Sequence, residues 1–167
     1  MSKSAHKPTA ANLRVTGLII ALFTVAVDQA HKWWMLGPFA IAEKQPFKVA
    51  PFLDLVLAWN RGISYGWFSQ STALGKWALV TLALAITVFL CVWLFRATRL
   101  LVALCLGLLI GGAVSNALDR VIHGAVADFF AFHGFGFSWY VFNLADVAIV
   151  AGVAGLLYDS FLDKGEG

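Results

Sequence analysis

Apolar residues run through this chain in four long blocks, and the polar residues gather at the block edges. A helix needs about 20 mostly apolar residues to cross a bilayer. Four segments meet that length, at about residues 13–36, 74–95, 100–118 and 141–162. They predict an all-α integral membrane protein with four transmembrane helices, read as one membrane-embedded domain over residues 1–167. The first block resembles a cleaved leader, because Lys3, Lys7 and Arg14 precede or open its apolar stretch. A cut after Ala30 would put Asp28 where a small residue belongs, and apolar character resumes at "WWML". A retained helix is the expectation.

The connectors also carry pattern. Residues 37–73 are long for a loop and too apolar for a disordered one. Within them "PFLDLVLAW" reads as a strand and "NRG" as the turn after it. "GAVADFF" alternates as a strand does, and "FFAFHGFGFSWY" has the aromatic content of a membrane–water interface. Gly107 with Gly111, Gly111 with Ser115, Ala148 with Gly152, and Ala151 with Gly155 place small residues at helical spacing. Such faces let helices approach closely in lipid.

Composition agrees with the pattern. Of 167 residues, 60% are hydrophobic and 13% charged, and mean hydropathy is +0.81. Soluble domains are about 45–50% apolar. The net charge of +3 does not indicate nucleic acid, because the basic residues are scattered and form no patch. They orient the chain instead. "RATR" at 96–99 is a short turn with two arginines, and the segment before the first block is basic and free of acids. The positive-inside rule then puts both termini in the cytoplasm.

With that orientation, the polar residues lie at one depth. The first span ends outside with Asp28, Gln29 and Lys32; the third ends with Asn116, Asp119 and Arg120; the fourth begins with Asn143 and Asp146. Asn60 and Asp128 join them from the outer connectors. Ionised groups near lipid need partners or a function. Asp28 and Lys32 are four apart and share a helix face, as do Asn116 and Arg120. With Asp119, three residues after Asn116, all five are expected to form one connected ion-pair and amide network. Asn143 with Asp146 also reads as a capping box.

Other chemistry is poorly supplied. Cys91 and Cys105 sit in apolar runs without metal spacing, and read as packing residues. His6, His31, His123 and His133 form no helical pair of the kind a zinc or haem site uses. No metal and no cofactor are expected. The catalytic resource that remains is two carboxylates, Asp128 and Asp146.

Five blocks in order carry a resemblance: "DQAHK" at 28–32, "NRGISYG" at 60–66, "GGAVSNALDR" at 111–120, "GAVADF" at 124–129 and "FNLAD" at 142–146. The chain resembles the bacterial lipoprotein signal peptidases, signal peptidase II. The resemblance implies an aspartic endopeptidase of the bacterial inner membrane that removes the signal peptide from prolipoproteins, cutting before a diacylglyceryl-modified cysteine. It implies Asp128 and Asp146 as the catalytic pair. Asp28, Lys32, Asn60, Gly62, Asn116, Asp119, Arg120 and Asn143 become substrate-binding or supporting residues. It further implies a small extracytoplasmic β-rich segment between the first two helices and a short lid helix at 63–68. The active site would lie on the extracytoplasmic side, with prolipoproteins and membrane lipid as partners and no obligate protein partner. Two departures stand out: His31 replaces a usual Ser or Thr, and Ser115 a common Gly. The other readings are a small four-helix cation or drug transporter and a non-catalytic envelope assembly protein. A transporter would more readily place a carboxylate at mid-span.

Overall fold

The structure, a computed structural model, describes residues 9–62 and 73–164. In chain order its elements are α1 (Ala10–Leu36), α2 (Ile41–Lys44), β1 (Phe47–Ala50), β2 (Leu53–Asn60), α3 (Ala73–Phe95), α4 (Leu100–His123), β3 (Val126–Gly134), β4 (Phe137–Ser138) and α5 (Leu144–Lys164). Four helices, α1, α3, α4 and α5, are long and apolar enough to cross a membrane. The lid expected at 63–68 lies outside the described residues.

The four helices form a bundle around α4. More than half of α4's apolar window is buried, 56%, against 22% or less in the other three. Leu22 and Phe23 of α1, Phe89 of α3 and Val150 of α5 are exposed apolar side chains, as expected where lipid is the solvent. Small residues let α4 hold its neighbours at close range. A Cβ on Gly111 would fall 2.6 Å from the Ala21 carbonyl of α1, and one on Gly112 would fall 2.7 Å from the Ala145 carbonyl of α5. The small-residue pattern is thus spent on contacts within one chain.

Helix ends follow local chemistry. Thr9 caps α1 by accepting from the Asn12 N–H at 3.3 Å. α4 continues past its apolar stretch to His123 and stops at Gly124, whose φ of 78° is left-handed. The Gly124 N–H returns to the Arg120 carbonyl at 3.1 Å, closing the helix as a C-terminal glycine does. That extension, beyond the predicted end near 118, carries Asp119 and Arg120 as helical residues.

The expected strands at "PFLDLVLAW" and "GAVADFF" are present as β2 and β3. They lie in one antiparallel sheet of order β1-β2-β3-β4. The register sets Ala58 opposite Asp128 and Asn60 opposite Val126, so Asn60 and Asp128 share a face as diagonal neighbours. β1 and β4 went unread because each is too short for alternation to show. A second small core of Met35, Ile41, Ala127 and Phe129 fixes the sheet to the end of α1. At the opposite end of the bundle, Arg14 Nε donates to the Phe95 carbonyl at 3.1 Å and Arg99 pairs with Asp159 at 3.1 Å.

Candidate active site

The sheet end of the bundle gathers the outer ends of α1 and α4, the first turn of α5 and the start of β3. Asp128 belongs to β3. Its neighbour Ala127 donates its N–H to Asp119 at 3.1 Å, and the Phe129 and Phe130 N–H groups both reach the Phe142 carbonyl, at 3.0 and 2.9 Å. β3 is thereby tied on one side to α4 and on the other to the residue before Asn143.

Asn143 begins α5. Its Oδ1 accepts from the Asp146 N–H at 2.9 Å, and the Asp146 carboxylate accepts from the Asn143 N–H at 3.3 Å. This reciprocal pair is the capping box read from the sequence. Asn143 does more with its amide nitrogen, which donates to Asp128 Oδ1 at 2.6 Å and to Asn116 Oδ1 at 3.2 Å. Asn116 in turn donates to Asp146 Oδ1 at 2.9 Å. Two amides therefore bridge the two carboxylates. Asn60 adds a hydrogen bond to Asp128 from the adjacent strand.

Asp128 is buried. Burial, and then the nearby charge of Asp146, push its pKa from the ordinary 3.8 up to about 7, against the opposing hydrogen bonds of Asn143 and Asn60. Two carboxyl groups that share one environment and oppose each other's ionisation can hold one proton between them.

Arg120 and Asp119 separate in role. Arg120 donates to the Asn116 carbonyl at 3.0 Å and to the Gly62 carbonyl at 2.8 Å. The Gly62 N–H closes a turn on Asn60 Oδ1 at 3.0 Å. Asp119 turns instead to Lys32, at 2.8 Å, and Lys32 also pairs with Asp28 at 2.7 Å. The one network expected over Asp28, Lys32, Asn116, Asp119 and Arg120 is thus two, with Asp28, Lys32 and Asp119 in one and Asn116 and Arg120 in the other. Helical spacing places side chains on a face; it does not say which neighbouring helix faces them.

Two participants escaped the sequence reading as site residues. Ser115 donates to Asp28 at 2.6 Å, and Gln29 donates to Asp119 at 2.8 Å and to Ser115 Oγ at 3.0 Å. Their spacing gave a signal: Gln29 follows Asp28, and Ser115 precedes Asn116. Ser115, the departure from glycine, supplies a hydroxyl to a buried carboxylate. His31, the other departure, stacks on Phe130 and meets Phe129 edge-on, each at 5.4 Å between ring centroids. His123 lies against Trp59, and His133 meets Asp54 at 3.1 Å. Among the described residues no three His, Cys, Asp or Glu side chains group as a metal would need.

Asp146 also lines a groove of about 380 Å³. Val147, Val150, Ala151 and Ala154 of α5 line it, with Trp139, Tyr140 and Phe142. The groove is apolar apart from the carboxylate at its head.

The chain is similar to known proteins over most of its length. Residues 20–162 fit the family model described as signal peptidase (SPase) II. A lipoprotein signal peptidase of Methylocella silvestris is 54% identical over 92% of this chain and 91% of its own. One of Beijerinckia indica subsp. indica is 51% identical over 92% of each. Two solved bacterial membrane enzymes share the fold. One has a TM-score of 0.79 at 27% identity, covering 91% of each chain. The other has a TM-score of 0.75 at 28% identity, covering 87% of this chain and 92% of its own.

Proposed function

The chain belongs to the signal peptidase II family, proteases that remove the signal peptide from prolipoproteins, and we propose that Asp128 and Asp146 are its catalytic pair. It is a multi-pass protein of the bacterial membrane. The observation that carries the assignment of the pair is the bridge through Asn143 and Asn116, which ties Asp128 to Asp146, the carboxylate that lines the apolar groove.

Asp128, with its pKa near 7, is the acid. Asp146, which receives the Asn116 amide and the Asn143 N–H, is the base. It takes a proton from water as the oxygen attacks the scissile carbonyl carbon. Asp128 donates to the carbonyl oxygen. Collapse of the tetrahedral intermediate breaks the C–N bond, and a proton passes to the leaving amine. The proton taken up by Asp146 is the one that reaches the amine, and a hydroxyl of the intermediate returns its proton to Asp128 as the carboxyl product forms, so both groups return to their starting state. Asn60, Asn143 and Asn116 hold the carboxyl planes. Arg120 balances the excess negative charge and fixes the backbone at Gly62.

The groove explains a substrate that is itself lipidated. An acyl chain or the apolar signal helix lies along Val147, Val150 and Ala154, which brings the cut to the membrane boundary. The bond cleaved then precedes a diacylglyceryl-modified cysteine. The basic turn and the Arg14 end face the cytoplasm, and the sheet and the carboxylates face outward. The whole chain acts as one domain. Purified protein should cleave a diacylglyceryl prolipoprotein and leave the unlipidated form largely intact. Equal cleavage of both would remove the role given to the groove.

A further inference from the structure

The mechanism above leaves Lys32 unused. Its side chain is 4% exposed and it does not line the α5 groove. Burying an ammonium is costly unless it is fully paired, and Lys32 is paired twice, with Asp28 of α1 and Asp119 of α4.

What those two carboxylates hold is the informative point. Asp28 Oδ1 accepts the Ala145 N–H at 2.9 Å, and Asp119 Oδ2 accepts the Ala127 N–H at 3.1 Å. Ala145 is the residue before Asp146, and Ala127 is the residue before Asp128. The same device grips a helix start and a strand start at the same offset from the two acids. The grip has little freedom, because Ser115 fixes Asp28 and Gln29 fixes Asp119. Without the ammonium the two anions would repel, and each would carry its backbone handle with it.

We propose that Lys32 is a positioning residue, a clamp that draws Asp28 and Asp119 together and thereby sets the separation of Asp146 and Asp128. This rests on the reading of Asp128 and Asp146 as the catalytic pair. Glue between α1 and α4 would need only the ion pairs. A clamp needs the two backbone handles as well, and both are present.

A clamp and simple glue differ in what a neutral replacement does. Lys32→Met alone leaves two buried anions unpaired and can fail to fold. The triple variant Asp28→Asn, Lys32→Met, Asp119→Asn removes all three charges, keeps amide oxygens for Ala145 and Ala127, and should fold, since neutral replacement of a buried ion triad is often tolerated. Its handles are no longer drawn together. Turnover of a lipidated prolipoprotein, normalised to folded protein, should fall about a hundredfold, the scale of a misplacement near 1 Å, with KM close to wild type. Asp119→Asn alone is the second variant and should lower kcat in the same way. Wild-type kcat in either folded variant overturns the clamp. Asp128→Asn run in parallel separates the two claims. If it is inactive while the triple variant is fully active, the clamp alone is wrong; if it is active, the catalytic pair is wrong.

Discussion

The side-chain amide of Asn143 reaches the Asp128 carboxylate at 2.6 Å. The same residue caps the helix that carries Asp146. One side chain thus couples the start of α5 to the acid on β3, and its two duties can be separated. Asn143→Asp keeps a good cap but sets a third carboxylate against Asp128. It should retain α5 and lose most activity. Asn143→Ala loses both duties, and the cap alone is worth about 1 kcal/mol. Thermal melting beside turnover of a lipidated substrate checks this. Full activity in Asn143→Asp would show that its amide nitrogen is dispensable.

The pH dependence follows from Asp128. Its folded pKa of about 7 lies above the ordinary 3.8. The folded state therefore holds a proton that the unfolded state has lost between those values. That contribution to stability is fully present below 3.8 and is lost as pH rises through about 7. Asp128→Asn should flatten the decline. Activity should also fall above about pH 7 as the acid is lost. A profile that keeps rising beyond that point would contradict Asp128 as the acid.

Gly112 sets how closely α4 approaches α5. A Cβ there would meet the Ala145 carbonyl and the Ile149 side chain, each at 2.7 Å. Gly112→Ala should therefore push the start of α5 away from Asn116 and stretch the Asn116–Asp146 hydrogen bond. Overpacking of this kind costs about 1–3 kcal/mol, and turnover should fall with stability. An unchanged melting temperature would mean that the helices part without cost.

Much of this architecture is legible in the sequence, for physical reasons. Spans are legible because lipid demands long apolar runs, and α5's start is legible because Asn143 and Asp146 form a local box. β2 and β3 show as alternation. That Asp119 joins Asp28 and Lys32 while Asn116 and Arg120 turn away from them is not legible, since it depends on which face of α4 meets α1. That choice is made by Gly107 and Gly111 packing against α1, and nothing at Asp119 itself encodes it. Ser115 is legible as a small residue at helical spacing from Gly111 and as a departure from glycine, not as a hydroxyl for Asp28. Its bond to Asp28 becomes evident once α1 and α4 are side by side.

The groove along α5 makes a prediction about binding. Ala151 and Ala154 leave the space beside Val147 and Val150. Ala154→Phe fills it without touching either carboxylate, so KM for a lipidated substrate should rise while kcat at saturation stays near wild type. A lower kcat with unchanged KM would place the bound lipid elsewhere.

The proposed catalytic pair is tested most directly by turnover of a lipidated prolipoprotein in Asp128→Asn, Asp146→Asn and the double variant, each normalised to folded protein. Asparagine keeps shape and capping at Asp146 but cannot share the proton. Near-total loss in each single variant is expected, with the double variant no worse than either, because groups that act as one unit are not additive. Substantial cleavage by either single variant would contradict the pair and leave Asp146 as a helix cap.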